Sequence, residues 1–389
     1  MRASGASGRR AGWSLLLLIT GLLLAWQRHQ ASPIGPLRFL LPPAPHGDPG
    51  PRAAPWQLDL PAGAALAHAP ALLLQRDGSL LVAWFAGSRE AADDVVLRQA
   101  LIRERRLAST WQALSRQQLQ QQLQRSIRTL GNPVLWQRPD GHLGLALVSV
   151  SYGRWSGSAI NLLRSRDGGR HWGEARRLIT SPLFNVSTLV RSPVLPLEDG
   201  GLLLPAYHEL IHYWPLSLRL NRTGTLVAAE ALPVRSTSQP AAVAVAATTA
   251  IAWLRDHRPD RRRLLLSRGA VAGGQLRWGP AAEGGWPNPN SAVAALRRRN
   301  GQVLVALNPQ AAGREQLDLL RWHPQRRTLE RLQRLEPDAS AGGGAEPAAY
   351  GYPALAEAAD GGLWVAYSVN KRFIRLRYLP EPGRGGGRR

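Results

Sequence analysis

The chain alternates between short apolar runs and polar turns that contain glycine. In five places an apolar run is followed by Asp-Gly or Asn-Gly and then by a second apolar run. The glycines of these pairs are Gly78, Gly141, Gly200, Gly301 and Gly361. Such pairs predict β-hairpins with type I′ turns, in which both central residues need positive φ. The pattern therefore predicts an all-β chain built from hairpins.

The hairpins recur at a regular spacing. Successive pairs lie about 60 residues apart, except for one gap of about twice that length. A weaker copy fills this gap at residues 239–254, where Thr248-Thr249 replaces the turn. Repeats of this size indicate a β-propeller with four strands per blade. We therefore predict a six-bladed β-propeller over residues 56–380, with one helical insertion at residues 115–128.

A second motif follows the turn of the second repeat. Residues 165–172 read SRDGGRHW and fit the pattern S-x-D-x-G-x-x-W. In this Asp-box hairpin the Asp and Ser side chains bond the local backbone, and the Trp packs between strands. The motif therefore predicts a structural role for Asp167 and Trp172.

The first 30 residues have the pattern of a targeting segment. Three arginines precede an uncharged stretch at residues 13–26, which spans about 21 Å as a helix against the roughly 30 Å of a bilayer core. This favours a signal peptide, but no clear cleavage site follows, so an uncleaved membrane anchor remains the alternative. Either interpretation places the rest of the chain outside the cytoplasm. Residues 31–55 are rich in Pro and Gly and predict a linker, and residues 381–389 form a basic Gly/Arg tail.

Composition excludes several classes of protein. Hydrophobic residues make up 44% of the 389 residues, which excludes a disordered chain. The chain has no cysteine, which excludes a disulfide scaffold, a thiolate nucleophile and a Cys-ligated zinc site. Its nine histidines show no metal-binding spacing, and we predict neither a metal nor a cofactor.

The net charge of +23 has two explanations that the sequence leaves open. Lys371 is the only lysine among 49 basic residues, a bias that a GC-rich genome produces without selection for an anionic partner. A basic surface also favours polyanions, anionic lipids and acidic glycans. Dedicated nucleic-acid motifs are absent, so we predict no nucleic-acid partner.

Several strings, taken in order, resemble the sialidase (neuraminidase) superfamily of six-bladed Asp-box propellers, in particular its bacterial predicted-neuraminidase branch. They include HAPALL from His68, SRDGGRHW from Ser165 and YGYPAL from Tyr350, and the resemblance covers residues 66–378. It implies an exo-acting glycoside hydrolase that cleaves a terminal sugar of a glycan, either acidic or neutral, and that works as a monomer.

The resemblance also implies catalytic residues. Tyr352 matches the family's nucleophilic tyrosine, which replaces the usual carboxylate because the substrate is itself anionic. Asp93 and Asp94 lie where the family has its acid/base aspartate, and one of them is the candidate general acid. The candidate substrate-binding residues at family positions are His68, Arg89, Gln239, Arg255 and Arg314. Asn288 and Asn290 open the fifth blade at the same end, and their amides suit sugar hydroxyls.

Two of these positions depart from the family. His68 stands where an arginine is expected, and Gln239 stands where the family has the glutamate that acts as base for the tyrosine. Glutamine takes no proton, and Glu209 is the best substitute carboxylate. A non-catalytic propeller that binds glycans or proteins is therefore the alternative to an enzyme, and binding to a polyanion or membrane surface is a third.

Overall fold

The computed structural model describes residues 13–24, 35–44, 53–181, 185–336 and 348–380. Residues 13–24 form a helix, α1, whose side chains are almost all exposed. The arginines before α1, much of the predicted linker and the 381–389 tail lie outside the described residues. Within the ranges described, no helix is both long and apolar enough to span a bilayer.

Six antiparallel sheets surround a central channel, which confirms the predicted all-β six-bladed propeller. Each sheet is one blade, and its strands are given from the channel outwards. Blade 1 contains β2 (Leu66–Leu74), β3 (Leu80–Gly87), β4 (Val96–Arg103) and β5 (Arg106–Leu114). Blade 2 contains β6 (Thr129–Gln137), β7 (Leu143–Val150), β8 (Ser158–Ser165) and β9 (Gly173–Arg177). Blade 3 contains β10 (Thr188–Val190) with β11 (Leu195–Pro196), then β12 (Leu202–His208), β13 (Trp214–Leu220) and β14 (Leu226–Ala231).

The other three blades complete the ring. Blade 4 contains β15 (Thr237–Ala246), β16 (Thr249–Asp256), β17 (Arg263–Ala272) and β18 (Gln275–Trp278), with β19 (Ala282–Pro287) also paired to β17. Blade 5 contains β20 (Ala294–Arg297), β21 (Val303–Leu307), β22 (Leu317–His323) and β23 (Thr328–Glu336). Blade 6 contains β24 (Tyr350–Glu357), β25 (Leu363–Val369), β26 (Phe373–Leu379) and, as its outer strand, β1 (Trp56–Leu60).

The hydrophobic core lies between the blades. Six clusters of buried apolar residues each join two neighbouring blades, so every blade buries both of its faces. A strand buried on both faces reads as a nearly continuous apolar run, because no side faces water. This explains runs such as β3, in which all eight residues are buried. Burial of apolar area is the main favourable contribution to the free energy of folding, and each of the six junctions between blades contributes to it.

The Asp-Gly and Asn-Gly turns form hairpins of a different type from the predicted type I′. The five glycines have φ between 77° and 84°, whereas the preceding Asp or Asn residues are not in the positive-φ region. In the first turn Gly78 N donates to Gln75 O at 3.0 Å and Gln75 N donates to Ser79 O at 2.8 Å. This is a three-residue loop, a type I turn followed by a left-handed glycine. The Asp77 carboxylate also accepts from Ser79 N at 3.0 Å, so the acidic residue bonds the turn through its side chain.

The Asp box on the outer hairpin of blade 2 has the predicted structural role. Asp167 accepts from Ser165 Oγ at 2.8 Å and from His171 N at 3.0 Å. Trp172 is 4% exposed and donates from Nε1 to Gln99 of blade 1 at 3.2 Å. The motif therefore closes its own hairpin and ties blade 2 to blade 1.

Two segments outside the blades pack against them. The predicted helical insertion contains α2 (Arg116–Leu123), which begins with a capping box between Ser115 and Gln118. Part of the segment expected to be a linker is ordered against blades 3 and 4, where Leu37 and Phe39 are buried. Phe39 N donates to Ala247 O at 2.8 Å, so this segment adds a short edge to the propeller rather than a free connection.

Candidate active site

Bulges in the innermost strands build one end of the channel. The pairing register shifts just before a proline in β2, β6, β15 and β24. In three of these bulges the residue before the proline has φ near 50°, namely Ala69, Gln239 and Tyr352. Residues other than glycine rarely adopt this positive-φ backbone conformation, and where they do they cluster at functional sites. We call this end, where the innermost strands begin, the mouth.

Gln239 and Tyr352 meet across the channel from blades 4 and 6. Gln239 Nε2 donates to Tyr352 Oη at 3.0 Å and lies 3.4 Å from Tyr207 Oη of blade 3. Gln239 Oε1 accepts from Arg255 Nη1 at 3.2 Å. Arginine has no acceptor, so this bond fixes the amide orientation and directs the NH₂ group at the two tyrosines. Tyr352 is therefore held as a hydrogen-bond acceptor, with its own hydroxyl hydrogen still available.

Asn290 links Arg255 to another predicted arginine, Arg314. Arg255 Nε donates to Asn290 Oδ1 at 2.6 Å, and Arg314 Nη2 donates to Asn290 O at 3.0 Å. The structure thus brings together the predicted residues Tyr352, Gln239, Arg255, Asn290 and Arg314 from three blades. We call these five residues the Tyr352 cluster.

A third arginine, Arg191 of blade 3, lies beneath Tyr352. Its guanidinium carbon is 5.2 Å from the centre of the Tyr352 ring, and its side chain donates to the carbonyls of Val293 and Pro353. Arg191 is 7% exposed, and burial lowers its pKa to about 10, so it remains charged at neutral pH. Arg191 both fixes the bulge that carries Tyr352 and places a cation against the face of the ring.

These three mouth arginines have no acidic partner. Among the described residues, Arg191, Arg255 and Arg314 bond only to carbonyl and amide oxygens, and none forms an ion pair. A buried cation without a counter-charge is unfavourable, and a guanidinium binds a carboxylate through two parallel hydrogen bonds. The mouth is therefore chemically suited to an anionic ligand.

His68 lies in the site in a role other than a cation. It is 2% exposed, and its ring centre is 4.3 Å from that of Tyr352. Burial, followed by the charges of Lys371 and the mouth arginines, lowers its pKa well below the ordinary value. Ser368 Oγ donates to Gly351 O at 2.9 Å, so His68 Nδ1 donates to Ser368 Oγ at 2.7 Å. A neutral His68 packs Tyr352 in place and does not replace the expected arginine.

Glu209 lies near this end of the channel, and its carboxylate, like those of Asp93 and Asp94, bonds to no member of the Tyr352 cluster among the described residues. It follows β12, two residues after Tyr207, and burial raises its pKa to about 7 despite the opposing charge of Arg255. The charge of Glu90, which is itself bonded to Lys371 Nζ at 2.6 Å, raises the pKa of Glu209 further. A carboxyl that is half protonated at neutral pH suits proton transfer.

The predicted acid residues Asp93 and Asp94 make other contacts. Asp94 accepts from Ser88 N at 2.9 Å and from Ser88 Oγ at 3.1 Å, so both of its oxygens serve the loop between β3 and β4. Asp93 is 75% exposed in its side chain and lies 3.9 Å from Arg116. Within the described part of the chain, neither carboxylate bonds to any member of the Tyr352 cluster.

Two of the predicted binding residues also stay apart from the cluster. Arg89 is exposed, and its side chain has no hydrogen bond to a described residue. Asn288 is 1% exposed and bonds Ser291 through both its Oδ1 and its Nδ2. Asn288 therefore shapes the loop before β20, and Asn290 is the asparagine that reaches the arginines.

Sequence reasoning missed Arg191 and Tyr207. A signal for Arg191 was present, because Arg191-Ser192-Pro193 has the same spacing at the start of blade 3 as His68-Ala69-Pro70 has in blade 1. Tyr207 lies within an ordinary apolar strand, and no local feature distinguishes it from a core residue. Among the described residues no group of three or more His, Asp or Glu could hold a metal ion.

Comparison with known proteins gives one matching family. The profile of the BNR repeat-like domain matches residues 78–365. None of the curated proteins matches the chain significantly.

Solved structures share the fold at low sequence identity. A protein of unknown function from Dyadobacter fermentans is 14% identical, with a TM-score of 0.65 over 84% of this chain and 98% of that one. The Hadza microbial sialidase Hz136 is 14% identical, with a TM-score of 0.65 over 81% of this chain and 66% of that one. The NanB sialidase from Streptococcus pneumoniae is 11% identical, with a TM-score of 0.63 over 85% and 71%.

Proposed function

Because the chain belongs to the BNR repeat-like family within the sialidase superfamily, we propose that its mouth binds the terminal acidic sugar of a glycan and cleaves the glycosidic bond. The observation that carries the proposal is the set of three mouth arginines around Tyr352, none of which has an acidic partner among the described residues. A sugar carboxylate would supply the missing counter-charge.

Tyr352 and Glu209 would perform the two parts of the reaction. Tyr352 Oη attacks the anomeric carbon as its proton passes to solvent, and the bond to the leaving oxygen breaks while that oxygen takes a proton from Glu209. Water then attacks the anomeric carbon and gives its proton to Glu209, while the bond to Tyr352 breaks and the phenol oxygen takes a proton back from solvent. The Arg191 cation beneath the ring and the amide of Gln239 stabilise negative charge on the tyrosine oxygen in both steps.

Gln239 favours a second candidate, a propeller that binds acidic glycans without cleaving them. The amide takes the place next to Tyr352 Oη, at 3.0 Å, where a base would have to lie to remove the phenolic proton directly. All three mouth arginines would still bind a carboxylate in such a protein. Binding and cleavage therefore have to be measured separately.

The proposal also includes a location outside the cytoplasm and an action on glycans by a single copy of the chain. The proposed location rests on the three arginines that precede the apolar segment and on the uncharged residues 13–26. Whether the segment is removed or retained as an anchor does not change the chemistry of the mouth.

A hydrolysis screen with the full chain tests the activity. The substrates are a chromogenic sialoside, a glucuronide and neutral pyranosides. We expect cleavage of an acidic glycoside, and we expect Tyr352→Phe to lower kcat on the order of 10³-fold. Tyr350→Phe, two residues earlier on the same strand and packed against Tyr367, is the matched control and should retain activity.

The outcomes separate the two candidates. Equal cleavage by the native chain and Tyr352→Phe would contradict the assigned nucleophile. Absence of cleavage together with saturable binding of the same acidic sugars, weakened by Arg255→Ala, would establish the binding protein instead. Circular dichroism of each variant shows whether the fold is retained.

A further inference from the structure

A large cavity lies at the opposite end of the propeller from the mouth. It has a volume of about 1070 Å³ and opens between blades 2 and 3. Its walls are formed by the hairpin turns that end β6 and β13 and by the turn before β12, all of which lie at the far end of their strands from Tyr352. We call this cavity the basal groove. It shares no residue with the Tyr352 cluster.

Five arginines line the basal groove, and two of them are neutralised locally. Arg164 Nη2 lies 3.0 Å from Asp140 Oδ2, and Arg138 Nε lies 3.4 Å from the same oxygen. The other two acidic residues of the groove have partners as well. Glu174 pairs with Arg166 and Glu198 with Arg38. The acidic residues of the groove are therefore already neutralised by arginines.

The remaining three arginines have no acidic partner among the described residues. Arg76 donates to Pro139 O at 3.2 Å, and Arg176 donates to Thr223 O. Arg222 is exposed, and its guanidinium has no hydrogen bond to a described residue. Burial, and after it the nearby charge of Arg138, lower the pKa of Arg176. We call Arg76, Arg176 and Arg222 the groove arginines.

The lining of the groove between these arginines contains apolar side chains beside polar ones. It includes Trp136, Leu162 and Leu220. Trp136 packs against Gly144, where even a Cβ atom would lie within 2.1 Å of the indole. A ligand that fits this surface carries negative charge at its rim and apolar groups behind it.

The groove also lies beside the point where the N-terminal part of the chain joins the propeller. Leu40 lines the groove and is 54% exposed, while Leu37 and Phe39 are buried nearby. Residues 25–34 connect this segment to α1, whose leucines are exposed, and can span at most about 40 Å. α1 and the groove arginines can therefore contact the same surface.

We propose that the basal groove binds the phosphate headgroups of anionic lipids, so that the propeller rests on a bilayer with its mouth directed away. The uncharged stretch at residues 13–26 would span about 21 Å as a helix, short of the roughly 30 Å of a bilayer core, so by itself it would provide a shallow attachment. A cluster of arginines is the second signal that makes such an attachment stable. The proposal does not depend on the chemistry proposed for the mouth.

Vesicle binding by the full chain tests the proposal. The vesicles consist of phosphatidylcholine alone or of phosphatidylcholine with phosphatidylglycerol, and bound protein is measured by co-sedimentation. The variant replaces Arg76, Arg176 and Arg222 with Gln. A basic side chain near an anionic surface contributes about fivefold in affinity, so the triple variant should lose on the order of 100-fold on vesicles with phosphatidylglycerol. Binding to neutral vesicles should not change.

The net charge of the chain requires a matched control. Arg154, Arg261 and Arg372 are exposed in loops at the mouth end, and their side chains bond to no described residue. Their replacement with Gln removes the same charge and should lower affinity by less than about threefold, since these loops would face away from the bilayer. Equal losses in the two triple variants would overturn the proposal and indicate unspecific charge attraction.

A second measurement distinguishes lipid from an acidic polysaccharide. If the groove variant loses binding to heparin but keeps native affinity for phosphatidylglycerol vesicles, the lipid proposal is wrong and the groove is a polysaccharide site. If the triple variant is unfolded by circular dichroism, Arg222→Gln alone, at an exposed turn, should still lose about fivefold on anionic vesicles. An unchanged affinity in this folded single variant would also contradict the proposal.

Discussion

At the scale of single residues, Gln239 determines the proton chemistry available to Tyr352. Arg255 fixes the amide so that its NH₂ group donates to the phenol oxygen, and an amide takes no proton. A proton donor or acceptor must therefore come from elsewhere. Among the described residues, Glu209 is the one carboxyl whose pKa is raised, and it lies near enough to Arg255 for that positive charge to act on it.

Glu209→Gln should lower kcat by about 10²–10⁴-fold, because it removes the proton donor while retaining the shape of the side chain. The raised pKa means that Glu209 is protonated below about pH 7, so kcat/KM of the native chain should fall as pH rises through about 7. A pH–rate profile checks both points, since the residual activity of the variant should lack this decline.

Asp94→Asn is the matched comparison for Glu209→Gln. Its carboxylate bonds Ser88 within one loop, so we expect a loss of less than about tenfold in kcat. A larger loss in Asp94→Asn than in Glu209→Gln would contradict the assignment and return the acid role to the loop after β3.

At the scale of one element, the Asp box is a hairpin in which the carboxylate of Asp167 stabilises the turn and has no catalytic role. Burial is the largest single influence on Asp167 and opposes its ionisation, but the hydrogen bonds from His171 and Ser165 together outweigh it and lower the pKa to about 2. These bonds close the turn, while Trp172 bonds Gln99 of the neighbouring blade. The polar part of the motif is therefore local and the apolar part connects two blades.

Asp167→Ala should lower the free energy of unfolding by about 1–2 kcal/mol without a change in kcat/KM, because the three hydrogen bonds of this carboxylate are lost far from the mouth. The contribution of Asp167 is present above its unfolded pKa of about 3.8 and is lost as pH falls towards 2. Urea unfolding at pH 7 and at pH 2 checks this, since the difference between native and variant should shrink at the lower pH. Arg170→Ala, at an exposed position of the same hairpin whose side chain bonds to no described residue, is the control.

At the scale of the whole molecule, the ring closes because the first strand of the propeller pairs with the last one. Strand β1 pairs with β26 in blade 6, and Arg375 contacts both oxygens of Asp59 at 2.8 and 2.9 Å. Trp56 packs edge-on against Trp364 with ring centres 5.7 Å apart. Without this strand, blade 6 would have an unpaired edge and an uncovered apolar face.

Trp56→Ala should lower the free energy of unfolding by about 2–3 kcal/mol, less than for a fully buried tryptophan because Trp56 is half-buried. Thermal unfolding measures the loss, and Tyr152→Ala, with a residue 77% exposed, should change it by less than about 0.5 kcal/mol. Equal effects of the two substitutions would show that β1 contributes little to closure.

The pattern of the sequence alone was sufficient to predict the propeller. The turns of the blades depend on a few adjacent residues, such as Asp77 and Gly78, and the apolar runs of both flanking strands are visible without their partners. The type of turn was predicted wrongly, because each loop has three residues and needs a positive φ only at its glycine, whereas a type I′ turn needs two.

Only the tertiary structure decided which residues meet at the mouth. Tyr352, Gln239 and Arg255 were placed by resemblance, but Arg191 comes from a third blade, and Asp94 turns back to its own loop. Contacts across a channel join residues more than 100 positions apart, and their geometry depends on the bulges and the packing of all six blades. Local sequence determines the blades, whereas closure of the ring determines the site.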